Sequence, residues 1–224
     1  MFDMTNIRLY LINKLLTVPI ILIALTVHEI SHGYAAYKLG DPTAKTMGRL
    51  SLNPLKHIDP IGALCMLLFG FGWARPVPID TRYFKKPKRD MALTALAGPL
   101  SNLILGFIGV IVYRIGAGLI IAHPAEGFWL TTQIMALTFM QYFVQLNVGL
   151  AVFNFIPIPP LDGSRVLYVF LPPKYYFGIM KYERYIMIAM LALLWLGVLD
   201  PIISTAVKAV ITGMEWVVSL IPFI

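Results

Sequence analysis

The sequence predicts an all-α polytopic membrane protein that forms a single domain, and three observations lead to this fold class. First, 58% of the 224 residues are hydrophobic and 13% are charged, whereas soluble domains carry about 25% charged residues. Second, the mean hydropathy is +0.77, and several apolar runs reach the roughly 20 residues that cross a bilayer as a helix. Third, no polar stretch is long enough to hold a separate soluble domain.

The basic residues lie in the gaps between the apolar runs. The formal net charge of +7 could indicate nucleic acid, but this placement is the one that the positive-inside rule describes for membrane proteins. The predicted partner is therefore the lipid bilayer, with no nucleic acid. A single cysteine, Cys65, excludes an intrachain disulfide and a thiolate cluster. The first fourteen residues show no small-residue cleavage site, so the first span is expected to act as its own insertion signal.

Three long apolar segments are predicted to span the membrane, at residues 15–39, 91–122 and 131–156. Residues 185–199 form a short fourth candidate that can be extended back to residue 182. Residues 202–224 either span or lie in the interface, because Lys208 and Glu215 interrupt them. The expected organisation is one integral-membrane domain over residues 1–224, with a core at about 15–170 and accessory spans at about 182–224.

A shorter apolar segment follows the first span. Residues 61–73 number only thirteen, which favours a re-entrant or interfacial segment over a span. The next residues, GWARPVPI, place Pro76 and Pro78 two apart, which excludes helix and permits at most an edge strand or bulge. Residues 73–79 could therefore pair with an incoming extended segment by strand addition, or could simply be the loop that leaves a re-entrant hairpin.

The loops predict the orientation of the chain. Residues 75–90 and 164–184 are rich in lysine and arginine, whereas the turn at 123–130 contains neither. Both basic loops are expected in the cytoplasm and the short turn outside the cell membrane. The first span then ends on the cytoplasmic side, although Arg8 and Lys14 oppose this assignment mildly.

The first span contains the motif H-E-x-x-H, formed by His28, Glu29 and His32. Helical residues four apart differ by about 40° in direction and about 6 Å in height, so both imidazoles can reach one ion. Glu29 is displaced by one step, which suits a general base that acts on water beside the ion. A single core histidine is usually only hydrogen-bonded, but ionisable residues inside a membrane are rare and are mostly functional. The motif therefore predicts a zinc site that needs a third protein ligand.

Few residues can supply that third ligand. His57 lies in a proline-bounded polar loop and is expected to be solvated or interfacial, while His123 and Glu126 lie in the predicted outer turn. The remaining candidate is Asp162, in the sequence NFIPIPPLDGSR at the end of the third span. The prolines of this sequence end the helix, and Gly163 permits a turn that could aim the Asp162 carboxylate inward. The alternative is a helix stop at the interface, with Asp162 as a simple cap.

Four motifs in order give the sequence a family resemblance: HEISH in the first span, GWARPVPI after it, AGPLSN in the second span and NFIPIPPLDG in the third. Together they resemble the site-2 protease family, the intramembrane zinc metalloproteases of peptidase family M50. The resemblance covers about residues 15–170 and points to the short bacterial branch without a PDZ or CBS domain. It implies a three-helix catalytic core. The residues themselves predict one or two further C-terminal spans outside this core, and a short re-entrant or β-like segment after the first span.

The resemblance also implies roles for individual residues. It makes His28, His32 and Asp162 the ligands of one Zn²⁺ and Glu29 the catalytic base. It assigns Asn154 and, with a less settled role, Asn102 to substrate binding. Many relatives have two glycines after the aspartate, whereas Ser164 follows Gly163 here. This departure affects only the local turn.

The implied function is hydrolysis of peptide bonds in or near transmembrane segments of membrane-anchored proteins, with the site toward the cytoplasmic side. Two alternatives remain open at this point. A membrane metal transporter would also place His, Glu and Asp inside spans, but it would need ligands on both sides of the membrane. A catalytically inactive family scaffold usually lacks the glutamate or a ligand, and both are present here.

Overall fold

The computed structural model of the chain describes residues 4–62, 65, 72–123 and 125–221. Eight α-helices have both ends within these residues: α1 (Met4–Lys38), α2 (Thr43–Thr46), α3 (Pro87–Ala122), α4 (Gly127–Phe155), α5 (Asp162–Leu167), α6 (Pro173–Met180), α7 (Glu183–Trp195) and α8 (Asp200–Ser219). Residues 60–62 and 65 are also helical. Two short 3₁₀ turns lie at Pro54–Lys56 and Thr81–Tyr83.

Four helical segments are long and apolar enough to cross a membrane: Leu15–Lys38 of α1, α3, α4 and α8. The three predicted core spans are therefore confirmed, and the last predicted segment contributes the fourth as α8. The predicted span at residues 185–199 is wrong as a full crossing. Its helix, α7, has 13 residues and is about 20 Å long, which is short of the roughly 30 Å hydrocarbon core.

Most of the predicted re-entrant segment, at residues 63–64 and 66–71, lies outside the described residues. The stretch that follows it is extended but belongs to no sheet in the described part of the chain. There, an isolated antiparallel bridge joins Ile58 to Ala74. Proline at positions 76 and 78 removes two backbone donors, which agrees with the absence of a regular ladder on this stretch.

The helices α3 and α4 form an antiparallel pair, with α1 packed mainly on α3 and α8 mainly on α4. Glycines on α3 allow the close approach. A Cβ atom at Gly106 would lie 2.7 Å from Val148 Cγ2, and one at Gly109 would lie 2.8 Å from Val144 Cγ2. Small residues at such crossings let helix backbones approach in a membrane, where apolar burial drives association weakly.

The end of α4 turns sharply into α5. The prolines after Phe155 cannot continue the helix, and the peptide bond between Pro159 and Pro160 is cis. A Cβ atom at Gly163 would clash with the carbonyl oxygens of Phe155 and Ile156, so only glycine allows α5 to begin this close to the end of α4. Asp162, the first residue of α5, is thereby directed back toward α1.

Candidate metal centre

The two histidines of the motif lie one turn apart on α1 and face the interior of the helix bundle. Their side chains are buried, with 5% of His28 and 7% of His32 exposed. Their Nε2 atoms lie 3.0 Å apart, which is the approach that the four-residue spacing on a helix predicts.

Asp162 completes a triangle of ligand atoms. Its Oδ2 lies 3.1 Å from His28 Nε2 and 3.1 Å from His32 Nε2. In a tetrahedral zinc site with ligand distances of about 2.0–2.1 Å, the ligand atoms lie about 3.3 Å from one another. The three atoms therefore have the spacing of three ligands of one zinc ion. The alternative in which Asp162 only caps a helix does not account for this convergence across 134 positions of sequence.

A chain of amides determines which nitrogen of His28 carries the proton. The Phe143 carbonyl can only accept, so Asn147 donates to it through Nδ2. Asn147 Oδ1 then accepts a hydrogen bond of 3.0 Å from Asn102 Nδ2. Asn102 Nδ2 also donates to the Ala24 carbonyl. Asn102 Oδ1 must then accept from His28 Nδ1, 2.6 Å away. His28 Nε2 is consequently left with a lone pair that faces the triangle.

The same argument applies to His32. Its Nδ1 lies 2.7 Å from the carbonyl oxygen of Thr94, which can only accept, so Nδ1 carries the proton and Nε2 has a lone pair. Two imidazole lone pairs and a carboxylate oxygen therefore converge without a proton between them, an arrangement that a cation stabilises. Two nitrogens and one oxygen form a donor set that suits zinc, and the partners of both Nδ1 atoms hold the rings in the ligating orientation.

Gly98 on α3 makes room for the two imidazoles. A Cβ atom at this position would lie 2.5 Å from His32 Nε2 and 2.7 Å from His28 Cε1. A methyl group there would have to displace both ligands. The glycine of the AGPLSN motif therefore belongs to the metal centre as well as to the helix contact.

Glu29 lies beside the triangle with its carboxylate buried; 9% of the residue is exposed. Its Oε2 accepts a hydrogen bond of 2.8 Å from the backbone N–H of Val77. One carboxylate oxygen is thus held by the extended stretch that follows the first span. The second makes no hydrogen bond among the described residues.

The structure places Asn102 behind His28, and its predicted assignment to substrate binding stays a prediction. The residue is 0% exposed, and its amide is occupied by His28, Ala24 and Asn147. Asn147 was missed in the sequence, although a buried asparagine inside a span is itself a signal of a required hydrogen bond. Both amides therefore belong to the hydrogen-bond chain that ends at the His28 ring.

Asn154 lies seven residues beyond Asn147 on α4, two turns along the same helix. It is half-buried, and its Nδ2 donates to the carbonyl of Leu150 within the helix. Its predicted contact with substrate stays a prediction.

The prediction for His57 is wrong. The expected solvated or interfacial side chain is 1% exposed, and its Nε2 lies 2.8 Å from the Ser51 carbonyl oxygen. The loop after α2 folds over this ring, which a proline-bounded polar sequence does not reveal. His123 and Glu126 are exposed and lie at the turn between α3 and α4, outside the group of metal-ligating residues that the described chain brings together.

We expect Asn102→Ala to lower zinc affinity by about 10- to 100-fold, because it frees the His28 ring and removes the acceptor of its Nδ1 proton. Competition with a zinc-selective chelator measures this change. Asn154→Ala is the matched comparison on α4 and should leave chelator sensitivity unchanged. If Asn102→Ala retained wild-type zinc affinity and instead raised KM for a cleaved reporter, the original substrate assignment would be favoured.

Comparisons with known proteins point to a zinc metalloprotease family. The family model described as peptidase family M50 matches residues 16–197. YwhC of Bacillus subtilis, which bears a zinc-metalloprotease name, is 43% identical over 174 residues that cover 77% of each chain. Rip2 of Mycolicibacterium smegmatis, similarly named, is 33% identical over 160 residues, or 68% of this chain and 56% of the relative. Zinc metalloprotease MJ0392 of Methanocaldococcus jannaschii is 25% identical over 70% of this chain and 34% of its own length. No solved structure matches the chain significantly.

Proposed function

The chain belongs to peptidase family M50 as a membrane-embedded zinc metalloprotease, and we propose that it is a site-2 type protease that cleaves transmembrane segments of membrane-anchored proteins. The observation that carries this proposal is the convergence of two imidazoles and a carboxylate inside a helix bundle, with a glutamate beside them. Such an arrangement is costly in a membrane unless it binds a cation, and it is the arrangement used for hydrolysis.

Each residue has a defined part in the proposed reaction. His28, His32 and Asp162 hold the zinc, which when bound supplies a Lewis acid that polarises the scissile carbonyl and acidifies water. Glu29 takes a proton from the attacking water through its free carboxylate oxygen and delivers it to the leaving amine. Asn154, at the end of α4 near Asp162, contacts the substrate backbone.

The substrate must be an extended segment at the moment of cleavage. A helical segment has its amides bonded internally, so a membrane-spanning substrate has to unwind before its carbonyl can reach the site. The proposed partner is therefore a transmembrane segment whose helix is locally weak, for example one with glycine or proline near the cleaved bond. Cleavage of this kind would release a membrane-anchored regulator, which is regulated intramembrane proteolysis.

The proposed location is the cell membrane of a bacterium, with the site toward the cytoplasm. The basic loops support this orientation. In this orientation α1 runs toward the cytoplasmic side and α4 returns to it, so His28 and His32 near the end of α1 and Asp162 just beyond the end of α4 lie nearer that side. His32 is six residues from the end of α1 at Lys38, which corresponds to about 9 Å. Water would therefore enter from the cytoplasm.

The rival functions make different demands. A metal transporter needs a series of ligand sites across the membrane, whereas the group of metal-ligating residues found in the described part of the chain is His28, His32 and Asp162. An inactive scaffold would lack Glu29 or a ligand, and all four are present. Neither rival gains support from a particular contact in the structure.

The testing experiment uses the purified chain in liposomes with a reporter that carries one transmembrane segment. We expect about one zinc per chain, cleavage of the reporter within or beside its membrane segment, loss of cleavage when the metal is chelated, and recovery when zinc is restored. A transporter would instead accumulate zinc inside the liposomes without cleavage. Zinc binding with neither cleavage nor uptake would identify a scaffold and contradict the proposal.

A further inference from the structure

Residues 74–80 form an extended strap that lies across the C-terminal half of α1. The strap is attached at both ends. Ala74 makes the antiparallel bridge with Ile58, and the backbone N–H of Asp80 donates to Asp41 Oδ2 over 2.7 Å. Asp41 is 0% exposed and follows directly on the end of α1. The strap is therefore attached to the helix that carries the metal motif.

Val77 is the point at which the strap contacts the proposed base. Pro76 and Pro78 have no N–H, so Val77 carries the backbone donor at the centre of the strap. It donates to Glu29 Oε2 over 2.8 Å in a buried environment. The Val77 side chain is 6% exposed and packs directly against Gly33. A Cβ atom at Gly33 would lie only 2.9 Å from Val77 Cγ1, so a larger residue would push the strap away. The glycine after the second histidine thus admits the strap to α1.

Arg49 holds the strap two residues before Val77. Its Nη2 donates to the carbonyl oxygen of Arg75 over 2.8 Å, and the N–H of Arg75 donates to the carbonyl oxygen of His57 over 2.8 Å. Successive residues of an extended chain alternate in direction, so Arg75 and Val77 present their backbone groups to the same side. A fixed carbonyl at Arg75 therefore determines where the Val77 N–H points.

Arg49 is buried, with 9% of the residue exposed. A buried arginine stays protonated and is costly unless its charge is compensated. Burial and the neighbouring Arg75 cation lower the pKa of Arg49, and the Glu29 carboxylate opposes them with a smaller effect. The hydrogen bond from Arg49 to the strap is therefore the contact that gives a physical reason for this side chain at this position.

We propose that Arg49 is a positioning residue for proteolysis, because it fixes the strap so that the Val77 N–H holds one oxygen of Glu29 and leaves the other free for water. This inference rests on the proposed function of the chain. A carboxylate held at one oxygen is oriented before the reaction, so the geometry for proton transfer does not have to be found in each turnover. Arg49 acts through the strap, because its hydrogen bond goes to the Arg75 carbonyl and not to a metal ligand.

The test compares Arg49→Met, which keeps an apolar stem of similar length, with Arg49→Lys, which keeps a cationic donor. We expect kcat for the reporter to fall by about tenfold in Arg49→Met, with KM and zinc content within twofold of wild type, and to recover partly in Arg49→Lys. Lys56→Met is the matched control, because Lys56 is also a loop cation bonded to a carbonyl, that of Gly48, but it does not touch the strap. It should retain wild-type kcat.

A second variant and a measurement independent of activity address the contact directly. Replacing Val77 by its α-hydroxy acid removes only the N–H and should reduce kcat as Arg49→Met does. Combining the two changes should cause little further loss. Hydrogen exchange at the Val77 amide should be slow in the wild-type chain and at least about tenfold faster in Arg49→Met.

The outcomes separate this inference from the proposed function. A zinc-loaded wild-type chain that does not cleave the reporter contradicts the proposed function. A wild-type chain that cleaves, together with unchanged kcat and unchanged Val77 exchange in Arg49→Met, overturns the role of Arg49. Loss of zinc or a rise in KM without a fall in kcat would also overturn it, since positioning of the base predicts neither.

Discussion

Glu29→Gln is expected to reduce cleavage of a transmembrane reporter to background, a loss of at least about 100-fold, while the chain still binds one zinc. General base catalysis is worth about 10²- to 10⁴-fold, and an amide cannot take a proton from water near neutral pH. The substitution preserves shape. Glutamine can still accept the Val77 N–H through its amide oxygen, so the contact now made by Glu29 Oε2 is retained. The loss would therefore report basicity alone.

The measurement pairs reporter cleavage with zinc content in the same purified sample. Glu126→Gln is a matched control, since Glu126 is an exposed carboxylate at the turn between α3 and α4 and should leave both quantities unchanged. Full activity in Glu29→Gln would refute the mechanism. Loss of zinc along with activity would instead show that Glu29 supports the metal, in which case the proton acceptor would have to be another group.

The helices and the convergence of His28, His32 and Asp162 could be predicted because their signals are local or chemically specific. The spacing of His28 and His32 on a helix determines that both rings reach one point, whatever packs around them. Asp162 could be identified because a carboxylate after a proline break inside an apolar segment needs a reason. The length of α7 could not be predicted, because an apolar run that begins at a charged loop does not show where its helix starts.

The residues that support the ligands could not be predicted, and the reason is geometric. The Asn102 side chain bonds His28 only because the face of α3 that carries it packs on α1, and one sequence does not specify that face. Asn147 and Val77 act through hydrogen bonds to partners 45 and 48 positions away. An extended stretch such as the strap has no helical period that would indicate which backbone group faces the site. The burial of His57 by its loop could not be predicted for the same reason.

Asp162→Ala is expected to remove the zinc and with it all proteolysis. The two histidines that remain would form a two-ligand site, whereas catalytic zinc sites in proteins have three protein ligands and an open position. Metal content should fall from about one zinc per chain to a small fraction after dialysis against a weak chelator, as measured by elemental analysis. Cleavage of the reporter should fall to the level seen in Glu29→Gln. The reasons differ, because Glu29→Gln keeps its zinc and lacks the base, whereas Asp162→Ala lacks the zinc.

Asp200→Ala is the control that separates the loss of a metal ligand from the loss of a charge that stabilises the start of a helix. Asp200 is the first residue of α8 and follows a leucine cap, just as Asp162 is the first residue of α5 and follows Leu161. An aspartate in this position stabilises a helix by about 0.3–1 kcal/mol through the helix dipole, so both variants lose that contribution. Only Asp162 lies 3.1 Å from both imidazoles.

If Asp162→Ala kept its zinc and lost stability only to the same extent as Asp200→Ala, Asp162 would be a helix cap, and the third ligand would have to be sought elsewhere. Zinc lost in Asp162→Ala alone instead assigns the carboxylate to the metal, because Asp162 contacts the imidazoles and Asp200 does not.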